Sequence, residues 1–175
     1  MKKFILVLLL NSLAIVFANE IKMYDLKLSY QTPSESYRTY IQESDKKMLL
    51  IKFPSIHSKN NNIDITPNLA VIAEKLPSNV DLNSYTEAII NNNKKYSTFH
   101  NNVNKNRIIN SKIPYSYSFY QEYNDRTNIR HSVCIITHVQ KSIGFYIIFD
   151  CTEDVFLELK PNLELIINSI KIEEN

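Results

Sequence analysis

The chain has 175 residues, with 20 Lys and Arg set against 18 Asp and Glu, two cysteines, one glycine and no tryptophan. That length suits one domain able to bury its own core. The scattered basic residues exclude a nucleic-acid footprint, which needs clustered Lys and Arg to neutralise phosphates.

The N-terminus reads as a secretory signal peptide. Lys2 and Lys3 supply the positive start, Phe4 to Leu10 is an unbroken apolar run, and Leu13 to Phe17 extends it. Val16 and Ala18 then stand at the -3 and -1 positions of a cut after Ala18. Asn11 and Ser12 interrupt the run, which is shorter than the roughly 20 apolar residues of a spanning helix. With no cysteine near the cut, lipidation at that site is excluded. Residues 19–175 are therefore expected as one globular domain with no membrane span, exported to the periplasm or the medium. Losing Lys2 and Lys3 brings the basic and acidic residues of that domain into balance.

Along the mature chain, Met23 to Tyr30 alternates as a strand with Tyr24, Leu26, Leu28 and Tyr30 on one face. Residues 36–43 fit either a short strand or a helical turn. Met48 to Phe53 is a second strand, closed by Pro54, and residues 57–64 form a polar loop. Asn68 to Leu76 is a third strand, ended by Pro77. Asp81 is an N-cap for a helix with Leu82, Tyr85, Ile89 and Tyr96 on one face. A polar bridge (100–106) and a short strand candidate (107–111) lead to strands at 115–123, 131–139 and 145–151. Glu153 to Ser169 is a second helix with Leu159, Leu163, Ile166 and Ile170 forming its buried stripe, and Pro161 is expected to kink or split it. Residues 170–172 close as a strand. The expected fold class is α+β, an antiparallel meander sheet with helices packed on its faces.

Cys134 and Cys151 fall on the two strands of one hairpin. A four-residue loop, Lys141 to Gly144 with Gly144 left-handed, sets them directly opposite, within reach of a disulfide. A three-residue loop slips the register and sends them to opposite faces. In an oxidising compartment the bonded register is the expected one, as a structural staple.

Two stretches carry a resemblance: NLAVIAEKLPSNVDLNSYTEAIINN (68–92) and FLELKPNLELIINSIKI (156–172). They resemble the strand, turn and helix, and the closing helix, of the PsbP-like superfamily. That family includes the photosystem extrinsic protein, a Ran-binding import factor and many small exported bacterial proteins. The resemblance implies a PsbP-like α/β/α sandwich that binds or scaffolds.

No catalytic set emerges from the residue types. A single glycine leaves no phosphate-cradling loop and no G-x-S-x-G elbow. His131 and His138 lie seven apart on one strand and so face opposite ways, while His57 and His100 sit in polar loops. Cys134 lies near both strand histidines, yet a disulfide removes the thiolate a nucleophile needs. Glu153, Asp154 and Glu158 are explained by the dipole at a helix start. The aromatic run 114–123 offers Tyr115, Tyr117 and Phe119 on one face, either as core or as a binding ledge. The expected function is an exported, non-catalytic binding or accessory module for a protein or small-ligand partner, with no cofactor and no metal. The alternatives are an enzyme with a dispersed site, a hydrolase first among them, and a secreted virulence-linked factor.

Overall fold

The computed structural model describes residues 17–96, 111–125 and 127–174. Residues 1–16 of the leader, the polar bridge, His100 and most of the 107–111 strand candidate lie outside those residues. The elements in chain order are β1 (Phe17–Met23), β2 (Leu26–Thr32), β3 (Arg38–Glu43), β4 (Lys47–Lys52), β5 (Ile56–Ser58), β6 (Ile63–Ile65) and β7 (Asn68–Lys75). There follow α1 (Leu82–Tyr96), β8 (Ser116–Asn124), β9 (Arg130–Gln140), β10 (Ile143–Thr152), α2 (Glu153–Ser169) and β11 (Lys171–Glu174).

The expected α+β class is corrected: the fold is β-rich. Among the described residues there are two helices against eleven strands in three antiparallel sheets. The main sheet runs β3-β4-β7-β10-β9-β8, a second runs β1-β2-β11, and β5-β6 is a hairpin. Nor is the main sheet a meander, because β10 inserts between β7 and β9. Of the two alternatives for residues 36–43 the strand is the one formed, with all six residues of β3 exposed, and the unforeseen β5 and β6, three residues each, overlap the two ends of the supposed polar loop. Backbone pairing, rather than an apolar face, makes these segments strands.

Apolar residues are buried on both faces of the main sheet. Leu49, Ile51, Leu69, Val71, Phe145, Ile147 and Phe149 share one core with Leu26, Leu28 and Tyr30 of β2 and with Phe156, Leu163 and Ile166 of α2. Phe149 stands at its centre, 5.0 Å from the ring of Phe53 and 5.7 Å from that of Phe156. Each such fully buried side chain contributes about 1.5–3 kcal/mol. On the opposite face Tyr85 and Ile89 of α1 close over Phe119, Val133 and Ile135. Strand β9 therefore sends Cys134 and Ile136 into one core and Val133 and Ile135 into the other, which is why its sequence reads as nearly continuous apolar residues.

The helix starts as its sequence asks: Asp81 accepts the backbone N–H of Ser84 at 2.8 Å. Of the two outcomes expected of Pro161, the split does not occur: α2 is one helix from Glu153 to Ser169. Pro161 and Leu157, whose carbonyl loses its partner to the proline, both lie on the exposed side, where water can satisfy the freed oxygen.

The expected disulfide is also corrected. Lys141 and Ser142 take left-handed backbone angles (φ 51° and 57°) and make the β9–β10 turn by themselves, as a two-residue hairpin loop requires. Gly144 lies within β10. This register pairs Cys134 with Phe149 and Cys151 with Ser132. The two thiols share a face but are offset by two positions, and both are free and buried.

Candidate functional site

Strand β8 is the last strand of the main sheet, and α1 runs along the face beside it. Between them lies a cavity of about 570 Å³. Asn83, Thr86, Glu87 and Ile90 line it from α1, at the spacing of one helical face, and Tyr117 and Phe119 line it from β8. Thr86 is fixed twice: its hydroxyl donates to the carbonyl of Leu82 at 2.7 Å and accepts from that of Thr137 at 2.6 Å. The α1 wall is thus tied to the sheet beneath it.

The structure divides the proposed aromatic ledge. Phe119 is 4% exposed and belongs to the core under α1. Tyr117, at 48% exposure, borders the cavity with one side open to water. Tyr115, at 89%, precedes the strand in a left-handed conformation (φ 51°) and stands clear of the surface. One residue is core, one is wall and one is rim.

A second cavity, about 550 Å³, opens on the other flank of α1 beside Lys46, Glu74, Tyr85 and Tyr146. The Glu74 carboxylate accepts the Tyr85 hydroxyl at 3.0 Å and pairs with the Lys46 ammonium at 2.5 Å. Burial and the neighbouring Glu74 charge push the Tyr85 hydroxyl well above its ordinary value, so it remains a neutral donor.

A polar cluster absent from the sequence reading sits where β8, β9 and β10 meet. His131 Nδ1 is 2.9 Å from Asp150 Oδ1, and Tyr123 donates its hydroxyl to the other carboxylate oxygen at 2.6 Å. The Tyr123 and His131 rings stack at 4.9 Å, and His131 Nε2 lies 3.6 Å from Asp125. With a carboxylate near each ring nitrogen, the His131 ring is held in place and the cluster works as a clamp across three strands. The signal that could have found it is the register: Tyr123 pairs with His131 on one side, and Asp150 lies two residues before Thr152, the β10 partner of His131, on the other.

The other two described histidines are also occupied. His57 Nδ1 is 2.8 Å from Asp64 across the β5-β6 hairpin, and His138 contacts the Tyr115 carbonyl and the Gln140 side chain at 3.1 and 3.3 Å. Burial pushes the Cys134 thiol up to about 12, the opposite of what a nucleophilic thiolate requires. Asp154, read from sequence as dipole chemistry, binds Ser58, Asn60 and Thr152 and anchors the β5-β6 hairpin to the start of α2. Among the described residues no group of His, Cys, Asp and Glu has the arrangement of a metal site.

No family model matches this chain, and no curated protein matches it. Among solved structures it is similar to the crystal structure of LpqN of Mycobacterium tuberculosis, described as involved in cell envelope biogenesis, at TM-score 0.61 and 11% identity. That alignment covers 91% of this chain and 92% of LpqN. At such identity the likeness is one of fold, and it extends over nearly the whole of both chains.

Proposed function

We propose that this protein is an exported, non-catalytic accessory module of the cell envelope that holds a partner in the groove between α1 and β8. The groove carries the reading. It is built from one helical face and one edge strand, its α1 wall is hydrogen-bonded to the sheet, and Tyr117 offers a rigid aromatic surface with a polar tip. The signal-peptide pattern of residues 1–18 and the PsbP-like stretches at 68–92 and 156–172 support export and a binding role. The envelope connection is drawn from LpqN by likeness of fold and stands as analogy.

The test is a native intact mass on protein purified from the exported fraction without reductant, followed by the same measurement on Tyr117→Ala. The expected result is a chain beginning at Asn19 with an associated species that Tyr117→Ala loses while its circular dichroism and unfolding midpoint are kept. Retention of the bound species by Tyr117→Ala would remove the groove from the reading. Recovery from culture medium rather than periplasm would point to a secreted factor acting on a host.

A further inference from the structure

Resting on the groove reading above, we propose that the occupant is an extended, strand-forming peptide. It adds to the outer edge of β8 and places a basic side chain beneath Glu87.

The edge itself is the first argument. β9 pairs with β8 from Ser116–His138 to Asn124–Arg130, and among the described residues no strand pairs with the other side of β8. A strand of nine residues presents roughly 30 Å of edge at about 3.3 Å per residue. Sheet edges of that length are ordinarily blunted with lysine, proline or a bulge, because open N–H and C=O groups recruit another strand. The sequence SYSFYQEYN contains neither lysine nor proline. The opposite edge is managed differently: β3 has six residues with Arg38 at one end and Glu43 at the other.

The second argument is where a strand added there would point. On the α1 side of β8, Tyr117 and Phe119 are successive groove residues, two positions apart. Neighbouring strands place their side chains with the same period of two. Every second side chain of an added peptide would therefore enter the groove at the level of Tyr117 and Phe119, facing Asn83, Glu87 and Ile90 of α1. Main-chain hydrogen bonds would supply affinity and the groove would supply selection, as in other cases of strand addition.

The third argument is charge. Glu87 is the one charged residue of the groove lining, it is exposed, and among the described residues it makes no ion pair. A carboxylate so placed favours Lys or Arg on the peptide and opposes Asp or Glu.

The experiment uses fluorescein-labelled octapeptides and the full mature chain. One peptide alternates Val and Lys, one alternates Val and Glu, and two are Val/Lys peptides N-methylated at every second residue in each of the two possible frames. Strand addition predicts saturable binding of the Val/Lys peptide, slowed hydrogen exchange of β8 amides, and loss of binding for one methylated frame only. The Val/Glu peptide should bind about tenfold more weakly, the worth of one charge-assisted contact, and Glu87→Gln should abolish that preference. Binding indifferent to both methylated frames, or β8 amides left unprotected, would overturn the proposal. If no peptide binds while Tyr117→Ala still strips the species carried by the exported protein, the peptide assignment fails and the groove reading stands. If Tyr117→Ala retains that species, the groove reading itself has failed.

Discussion

Gly144 lies directly beneath the ring of Tyr85: a Cβ placed on the glycine would stand 2.5 Å from Tyr85 Cζ and 2.8 Å from Cε2. A third atom, Leu76 Cδ1, would be 2.9 Å away. No real Cβ tolerates such distances, so this glycine is needed for close approach of α1 to β10 and not for a turn. It is also the only glycine in the chain. Gly144→Ala should destabilise the protein by about 1–3 kcal/mol, the usual cost of forcing extra volume into a packed site. Denaturant unfolding of Gly144→Ala, Tyr85→Leu and the double variant would check it. The double variant should lose less than the two single losses together, because the smaller side chain makes room for the new methyl.

Both thiols should be silent in the native state. Burial raises Cys134 to about 12 and, with the charges of Asp150 and Asp154, raises Cys151 further. Ellman's reagent should count no reactive thiol in the folded protein and two after unfolding. An intact mass taken without reductant should show no loss of two hydrogens. A native disulfide would refute the β9–β10 register.

That register marks the boundary of what the sequence could reveal. The strand segments at 131–139 and 145–151 and the helix starting after Asp81 were legible, because period-two and helical patterns are local. Which residues turn the hairpin was not. The sole glycine is the usual choice for a left-handed position, yet Lys141 and Ser142 adopt that conformation because Tyr85, from a segment distant in sequence, claims the space above Gly144. Strand β3 stayed undecided between strand and helical turn for a related reason: its six residues are exposed, so no buried face imprints an alternation on them. Of the candidate site, Tyr117 was legible as an aromatic on a strand. The α1 wall opposite it was not, since Asn83, Thr86 and Glu87 are ordinary polar helix residues until the sheet sets them beside β8.

The pH dependence of stability should carry the mark of His131. The hydrogen bond that the ring donates to Asp150 favours the charged ring, outweighs the opposing effect of burial and is helped by the charges of Asp150 and Asp125, so the pKa lies above the ordinary value near 6.5. A raised folded-state pKa means the contribution is complete below about 6.5 and is lost as pH rises through the higher folded-state value. Urea midpoints should therefore fall from this source as pH rises past 6.5, and Asp150→Asn should flatten that slope. NMR titration of the His131 ring should give a pKa above that of a free histidine; a lower one would refute the clamp.

Acid should act on a different joint. At Asp154 burial pushes the carboxyl up, but hydrogen bonds from Asn60, Thr152 and Ser58 outweigh it and hold the pKa below the ordinary carboxylate range. A depressed folded-state pKa stabilises above the unfolded value near 4 and is lost as pH falls through the folded one. Asp154→Ala leaves the buried Ser58 hydroxyl without its acceptor and should cost about 1–3 kcal/mol. Hydrogen exchange of the β5-β6 hairpin amides should quicken in that variant before the rest of the molecule opens.

The contact between β7 and β10, at the middle of the main sheet, joins partners as remote as Asn68 and Asp150. On a ribosome or in a translocation channel, the first half of the domain must wait for the second before its central strand has a neighbour. Until then β3, β4 and β7 can form only half a sheet, with the inner edge of β7 open. Long-range closure of this kind is slow and leaves the incomplete chain exposed to aggregation. For an exported module of the kind proposed above, the delay is an advantage, since a chain that cannot complete its sheet early remains threadable. Fragments ending before Ile143 should therefore fail to fold and should precipitate, however well their individual strands are formed.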